Sequence, residues 1–385
     1  MLYSVTRALS AGGLPLAALC AGWIHLAQAA PYIPADPDQV MQQLPVEVST
    51  LPDGWAKVAR NDPVAASLYA SRMLSAARST GDPRYFGYAR TSLEPWWVAS
   101  AVPEQLILQR ADLKQHIHDF EGALKELQKL QASSSFSTDA RLMEAHIHTA
   151  QGNYSAAAVA CQQLTLAAPE HALLCVSRVK GFTGQKDQAR SILNTLLARQ
   201  LPDSLLHEAH LTLGEIDHLE GKLDEAKAHY LGALDIQGNN PYTLASLGQL
   251  MLLQQDFHGM LAVLPEDSLN ISSQVLRTIA AKALSQRHAE NQISTLEERF
   301  LNDDTLRTGR DYGVFMLHIK GDQEAAYAIA RENWKRQKEP ADLHLLVDCA
   351  VQQNDIGQLR QIQSWISSHG LSDQLINQKI DVALL

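Results

Sequence analysis

The chain has little of what most chemistries need. Only four of its 385 residues are cysteines, too few for a disulfide-stapled fold or a Cys-rich zinc module. No stretch alternates polar and apolar residues with period two, so no strand is called for. Lys and Arg are not clustered, and the formal charge is −10. That balance argues against nucleic acid as a partner, because counterion release requires a basic surface. His-Glu-x-x-His and Gly-x-Ser-x-Gly are both missing, and beyond Gly12-Gly13 no Gly-rich phosphate loop occurs. The pairs His116/His118 and His146/His148 are two residues apart, so on a helix their members point away from each other and cannot chelate together. Glu297-Glu298 and Asp303-Asp304 sit beside turns or on helix surfaces, where solvation accounts for them. The reading is therefore not an enzyme, with no cofactor and no metal.

What is there begins with the first thirty residues. Arg7 is the only charge before the apolar run "LSAGGLPLAALCAGWIHLAQAA", which ends in Ala27-Gln28-Ala29. A positive start, an apolar middle and a small-x-small end are the marks of a secretory signal peptide over residues 1–29, cut near Ala29. The alternative is an uncleaved anchor, since the run almost suffices to span a bilayer. Leu19 before Cys20 speaks against lipidation. Beyond residue 29 no run is apolar enough to cross a membrane, so the expected location is periplasmic or secreted, with membrane contact only through a complex or a retained signal. Export gives Cys161 and Cys175 a redox context. They lie nearly equidistant from the bend Ala168-Pro169-Glu170, so they either form a disulfide or fill helix-packing surfaces as free thiols.

A Pro-rich segment, residues 30–54, leads into helix after helix, with apolar residues at three- and four-residue spacing and breaks of Gly, Asn, Asp or Pro. The breaks recur. In "HLTLGEIDHLEGKLDEAKAHYLGAL" the chain sets Leu213-Gly214, a turn at Gly221, then Ala226, Tyr230 and Ala233. Leu247-Gly248 follows thirty-four residues after Leu213-Gly214, and corresponding alanines stand at 123, 157, 189 and 226, spaced 34, 32 and 37. Gly321, Ala326 and Ala330 repeat the motif before Pro340, whereas 268–300 matches weakly. The pattern resembles the tetratricopeptide repeat (TPR) family, most closely over residues 207–240. The departures there are His210 where Trp is usual and Asp217 where Tyr is usual, which suggests a loosened joint between helices. The expected fold is all-α: a right-handed superhelical α-solenoid of antiparallel helix pairs. TPR-like repeats would fill residues 55–265, and degenerate repeats with a C-terminal cap residues 266–385.

The resemblance implies a concave groove lined by the first helix of each pair. Carried onto this chain, its lining is Asp112, Gln115, His116, Leu142, His146, Arg178, Phe182, Glu208, Glu215, His218, Tyr242 and Gln249. The implied role is an exported scaffold or adaptor that holds an extended segment of other envelope or secreted proteins. The rival reading is a carrier or sensor of a small ligand or metal held by His116, His146, Arg178 and His218. Trp96 and Trp97 form either a stacking platform or a plug between the first two repeat units.

Overall fold

The computed structural model describes residues 48, 51–52, 54–99, 101–130, 135–304 and 306–385. The signal segment and most of the Pro-rich segment lie outside the described residues. The chain divides into Met1–Pro45 and Val46–Leu385; everything below concerns the second unit.

The described residues form helices and no strand. After α1 (Trp55–Asn61) come nine antiparallel pairs: α2/α3 (Pro63–Thr80, Arg84–Leu93), α4/α5 (Glu104–His116, Phe120–Leu127), α6/α7 (Ser137–Ala150, Tyr154–Gln162), α8/α9 (Pro169–Phe182, Lys186–Leu197), α10/α11 (Asp203–Leu219, Leu223–Ile236), α12/α13 (Pro241–Leu253, Phe257–Val263), α14/α15 (Ile271–Ala283, Ala289–Asn302), α16/α17 (Arg310–Phe315, Gln323–Arg336) and α18/α19 (Pro340–Gln352, Ile356–His369). The last helix is α20 (Gln374–Ala383). The weakly matching stretch 268–300 is thus a complete pair.

One backbone feature sets the repeat. Between the helices of each pair the chain passes once through the left-handed region, at Gly81, His118, Gly152, Gly184, Gly221, Gln255, Ser285, Gly321 and Asn354. Glycine takes that conformation without a Cβ penalty. Where another residue stands, the sequence motif fades although the turn is the same. The residue after the turn often caps the second helix: Asp119, Asp256, Asp322 and Asp355 accept from Gly122, Gly259, Ala325 and Gln358 backbone N–H at 3.0, 2.9, 3.0 and 2.8 Å. The marker alanines Ala123, Ala157, Ala189, Ala226 and Ala326 are wholly buried. A Cβ on Gly214 would stand 2.6 Å from the Tyr230 ring, and one on Gly313 would stand 2.7 Å from Leu345. These small residues are what permits the helices their close approach.

The first helices of the pairs face a common interior, but that interior is not an open groove. The turn at Gly81 lies against Pro241 and Asn270, where the sixth and seventh pairs begin. Gly152 lies against Trp365, Gly184 against Ser372 and Gly221 against Leu375. Two backbone hydrogen bonds join these levels, Lys338 N–H to Ala150 C=O and Ser372 N–H to Phe182 C=O, both 2.7 Å. One apolar core runs through both levels: Tyr154, Cys161 and Phe182 pack with Leu343, Leu346, Ile362 and Ile376. Successive turns of the superhelix therefore rest on one another and enclose a lumen. The expected concave groove is closed because later pairs bury their apolar edges on earlier ones.

Candidate functional site

The lumen holds a cavity of about 320 Å³ walled by α6, α8, α10, α12, α14, α16 and α18. Leu252, Leu253, Val275, Leu276, Val314 and Leu345 supply its apolar wall. Its polar centre is built by α8, α10 and α12. Arg178 Nη2 donates to Glu215 Oε1 at 2.7 Å and to Tyr242 Oη at 3.0 Å, and Tyr242 Oη donates to Glu215 Oε1 at 2.8 Å. The guanidinium also lies 5.5 Å from the Phe182 ring centroid and 5.8 Å from that of Tyr242, within reach of cation–π attraction. Residue spacing explains the convergence. Arg178 and Phe182 are four apart on α8, so both point inward, and Glu215 takes the equivalent face of α10.

Burial dominates the electrostatics there. It pushes the Glu215 carboxyl up to about 7, against the opposing pull of Arg178 and the Tyr242 hydroxyl, with Glu208 and Glu339 adding to the rise. Burial alone would favour a neutral Arg178, but Glu215 and its acidic neighbours hold the guanidinium firmly charged. The Tyr242 phenol is raised well above its ordinary value by burial and then by Glu215.

The opposite wall comes from the C-terminal pairs. Arg310 Nη1 stands 3.5 Å from Asp342 Oδ1 and 3.7 Å from Glu339 Oε2. Asp342 accepts from Asn333 Nδ2 at 2.9 Å and from the Glu339 backbone N–H at 3.1 Å. Burial raises its carboxyl to about 7 despite Arg310. Further along, His344 Nε2 pairs with Asp373 Oδ2 at 2.8 Å, and Asp373 also caps α20 through Ile376 N–H at 3.0 Å. Burial would lower the His344 imidazole, but Asp373 outweighs it and the pKa is raised. His218, 5.9 Å from His344 between ring centroids, is lowered to about 4 by burial and then by its neighbour.

Of the groove residues read from sequence, the structure brings His146, Arg178, Phe182, Glu215, His218, Tyr242 and Gln249 to the lumen. The other five do not line the cavity. Asp112 bonds to Arg78 at 2.7 Å, and His116 stacks on Phe86 with ring centroids 3.2 Å apart. Gln115 keeps its Oε1 buried without a partner, Leu142 is half-buried on α6, and Glu208 stands beside His207 at 3.7 Å. His116 and His146 are thus not joined in one site. Among the described residues no group of three or more His, Cys, Asp or Glu side chains is arranged to hold a metal.

Arg310, Glu339, Asp342, His344 and Asp373 were not read from the sequence. Glu339, Asp342 and His344 belong to the pair that turns at the non-glycine Asn354, and Asp373 lies beyond it before α20. Arg310 precedes the legible Gly321 turn but stands on the six-residue α16, too short to show a register. Trp96 and Trp97 pack on the first core. Trp96 Nε1 donates to Ala59 C=O at 3.0 Å, and the fully buried Arg110 ties the loop by donating to the carbonyls of Trp96 (2.7 Å) and Ala99 (2.9 Å). They are a plug. Asp217 does not mark a loosened joint either: it is buried, ion-paired to Arg190, and 3.6 Å from His229 Nε2. Cys161 and Cys175 are joined as a disulfide with Cα atoms 5.5 Å apart, and Cys349 is a buried free thiol.

No protein-family model matches the chain, and no curated protein does. Its fold is TPR-like by its own geometry. Among solved structures it is similar to the APC/C hetero-tetramer Cut9–Hcn1, with 11% identity over 88% of this chain and 91% of that one, TM-score 0.30. It is also similar to the TPR domain of P58(IPK), with 15% identity, 84% and 97% covered, TM-score 0.24. A third is Naa15/Naa10 bound to HypK-THB, with 13% identity, 86% and 62% covered, TM-score 0.22.

Proposed function

We propose that the chain is an exported interaction scaffold, with no reaction of its own, that receives a segment of an envelope or secreted protein partner in its lumen. The observation that carries the reading is the convergence of seven first helices on one solvent-touching cavity, with Tyr242 (41% exposed) and Leu253 (43%) presented to it. An aromatic ring, an apolar wall and a hydrogen-bonding charged centre suit a peptide segment. Export is supported by the signal-like residues 1–29 and by the Cys161–Cys175 bridge, a bond at home in an oxidising compartment.

The test is capture from cell envelopes with the mature chain as bait, beside Tyr242→Ala. A partner held by the wild type and released by the variant is the expected result. A second reading, a carrier of a small ligand, is favoured by the cavity being only about 320 Å³, a size that suits a small molecule. Recovery of no protein, together with a soluble small molecule that raises the melting temperature, would replace the first reading by the second.

A further inference from the structure

The lumen has more acid than base. Glu215, Asp311, Glu339 and Asp348 line it against Arg178, Arg310 and Lys379, and Asp342 adds a further carboxyl beside Arg310. Every cation is already taken. Lys379 is ion-paired to Asp348, Arg178 to Glu215 at 2.7 Å, and Arg310 is shared between Glu339 and Asp342 at 3.7 and 3.5 Å. Asp311 has only a hydroxyl, accepting from Ser272 Oγ at 2.8 Å. The lining histidines do not make up the difference. Burial lowers the pKa of His146, His218 and His318, and His344 is met by Asp373. The shortfall shows in the carboxyls: Glu215 and Asp342 are both pushed up to about 7 by burial, with Glu339 adding to each rise.

Glu215 is the acid whose bonding is incomplete. It lines the cavity and is 8% exposed. Its Oε1 accepts from both Arg178 Nη2 and Tyr242 Oη, whereas its Oε2 is buried with no hydrogen-bond partner. A buried carboxyl oxygen without a donor carries an uncompensated desolvation cost. The terminal torsion of glutamate is soft, so a small turn offers Oε2 to a guest. Beside it lie the Tyr242 and Phe182 rings, and the apolar wall of Leu252, Leu253 and Leu276 runs on from them. An anion in this lumen would meet excess carboxyl charge and guanidinium groups that already hold partners. A purely apolar guest would leave Oε2 without a donor. A cation on an apolar stem meets both demands.

We propose that the lumen takes a lysine side chain of the partner segment, its ammonium donating to Glu215 Oε2 beside the Tyr242 ring and its methylene stem lying along Leu252, Leu253 and Leu276. The inference rests on the lumen being the partner site and names the chemistry that the site selects. An ammonium is compact and brings three donors, the ring adds cation–π attraction, and the stem buries while the head stays polar.

The test is calorimetric titration of the full chain with the blocked pentapeptide Ala-Leu-Lys-Leu-Ala, and with the same peptide carrying norleucine or glutamate at its centre. The lysine peptide binds at least about ten-fold more tightly than either. Glu215→Gln keeps the side chain's shape and removes a desolvated charge, so it folds, and it brings the lysine peptide down to the norleucine level. Equal or tighter binding of the norleucine or glutamate peptide, or an undiminished lysine preference in the variant, overturns the proposal. Binding of the free diamine cadaverine with no binding of any peptide overturns the lysine and favours the small-ligand carrier. No binding of any probe overturns the proposal alone, because the scaffold reading is decided separately by envelope capture with Tyr242→Ala.

Discussion

Glu215 and Asp217 stand two residues apart on α10, so they point to opposite sides of it. Each meets an arginine of the preceding pair: Glu215 meets Arg178 of α8, Asp217 meets Arg190 of α9. The chemistry is alike and the setting is not. Asp217 is closed between helices, and Arg190 also grips Glu220, so the group of charges replaces the aromatic packing the family would place there. Glu215 opens on the lumen, shares its arginine with a tyrosine hydroxyl, and is burdened by Glu208 and Glu339. The same pair of residue types is a fastener on one face and the centre of a candidate binding site on the other.

The fastener side should govern stability, and three substitutions rank its parts. Replacing Cys161 and Cys175 together by serine frees a loop of about 15 residues and should cost about 3 kcal/mol in the chain-entropy model, read from the urea midpoint. Asp217→Ala should cost about 2–3 kcal/mol, because it strands a largely buried arginine that keeps only Glu220. A loss equal to that of an exposed Asp→Ala change would show that the joint is not held by charge. Gly214→Ala drives a methyl into the Tyr230 ring and should cost about 2 kcal/mol.

The lumen side should show itself in pH rather than in raw stability. The folded-state pKa of Glu215, about 7, lies above the ordinary carboxylate value. Folding therefore favours its protonated form, and stability falls as pH rises from near 4.5 through about 7. Glu215→Gln removes that term. Between pH 5 and pH 8 the urea midpoint of the variant should fall less, or rise more, than that of the wild type, the buried His218 and its like contributing the opposite slope in both. Asp342, raised to about 7 for the same reason, contributes a term of the same sign that the substitution leaves in place. Parallel wild-type and variant profiles would mean that Glu215 is not desolvated by the lumen.

The architecture was legible where the turn residue is glycine. Gly152, Gly184, Gly221 and Gly321 carry the left-handed turn visibly, and with Gly214 and the buried alanines they give the helix pairs and their period. Gln255, Ser285 and Asn354 make the same turn without the same letter, so the later units read as degenerate. The inward face of α8, α10 and α12 followed from helical spacing. Closure of the lumen did not, because it depends on apolar edges meeting between residues nearly two hundred positions apart, such as Phe182 and Ile376. No local spacing records that distance. The role of Asp217 was missed for a related reason: its partner Arg190 lies in the preceding pair, and a family position predicts an aromatic there, not a charge.

Closure is the claim on which the site rests, since an open solenoid would leave Arg178 and Arg310 on a broad groove with no enclosed cavity. Hydrogen exchange at two backbone amides tests it most directly. Lys338 and Ser372 lie in connecting loops, and their N–H groups bond to Ala150 and Phe182 of the other superhelical level. If the levels rest on one another in solution, both amides exchange at least about a thousand-fold more slowly than an unstructured chain. Exchange at both sites near the unstructured rate would contradict the closed lumen.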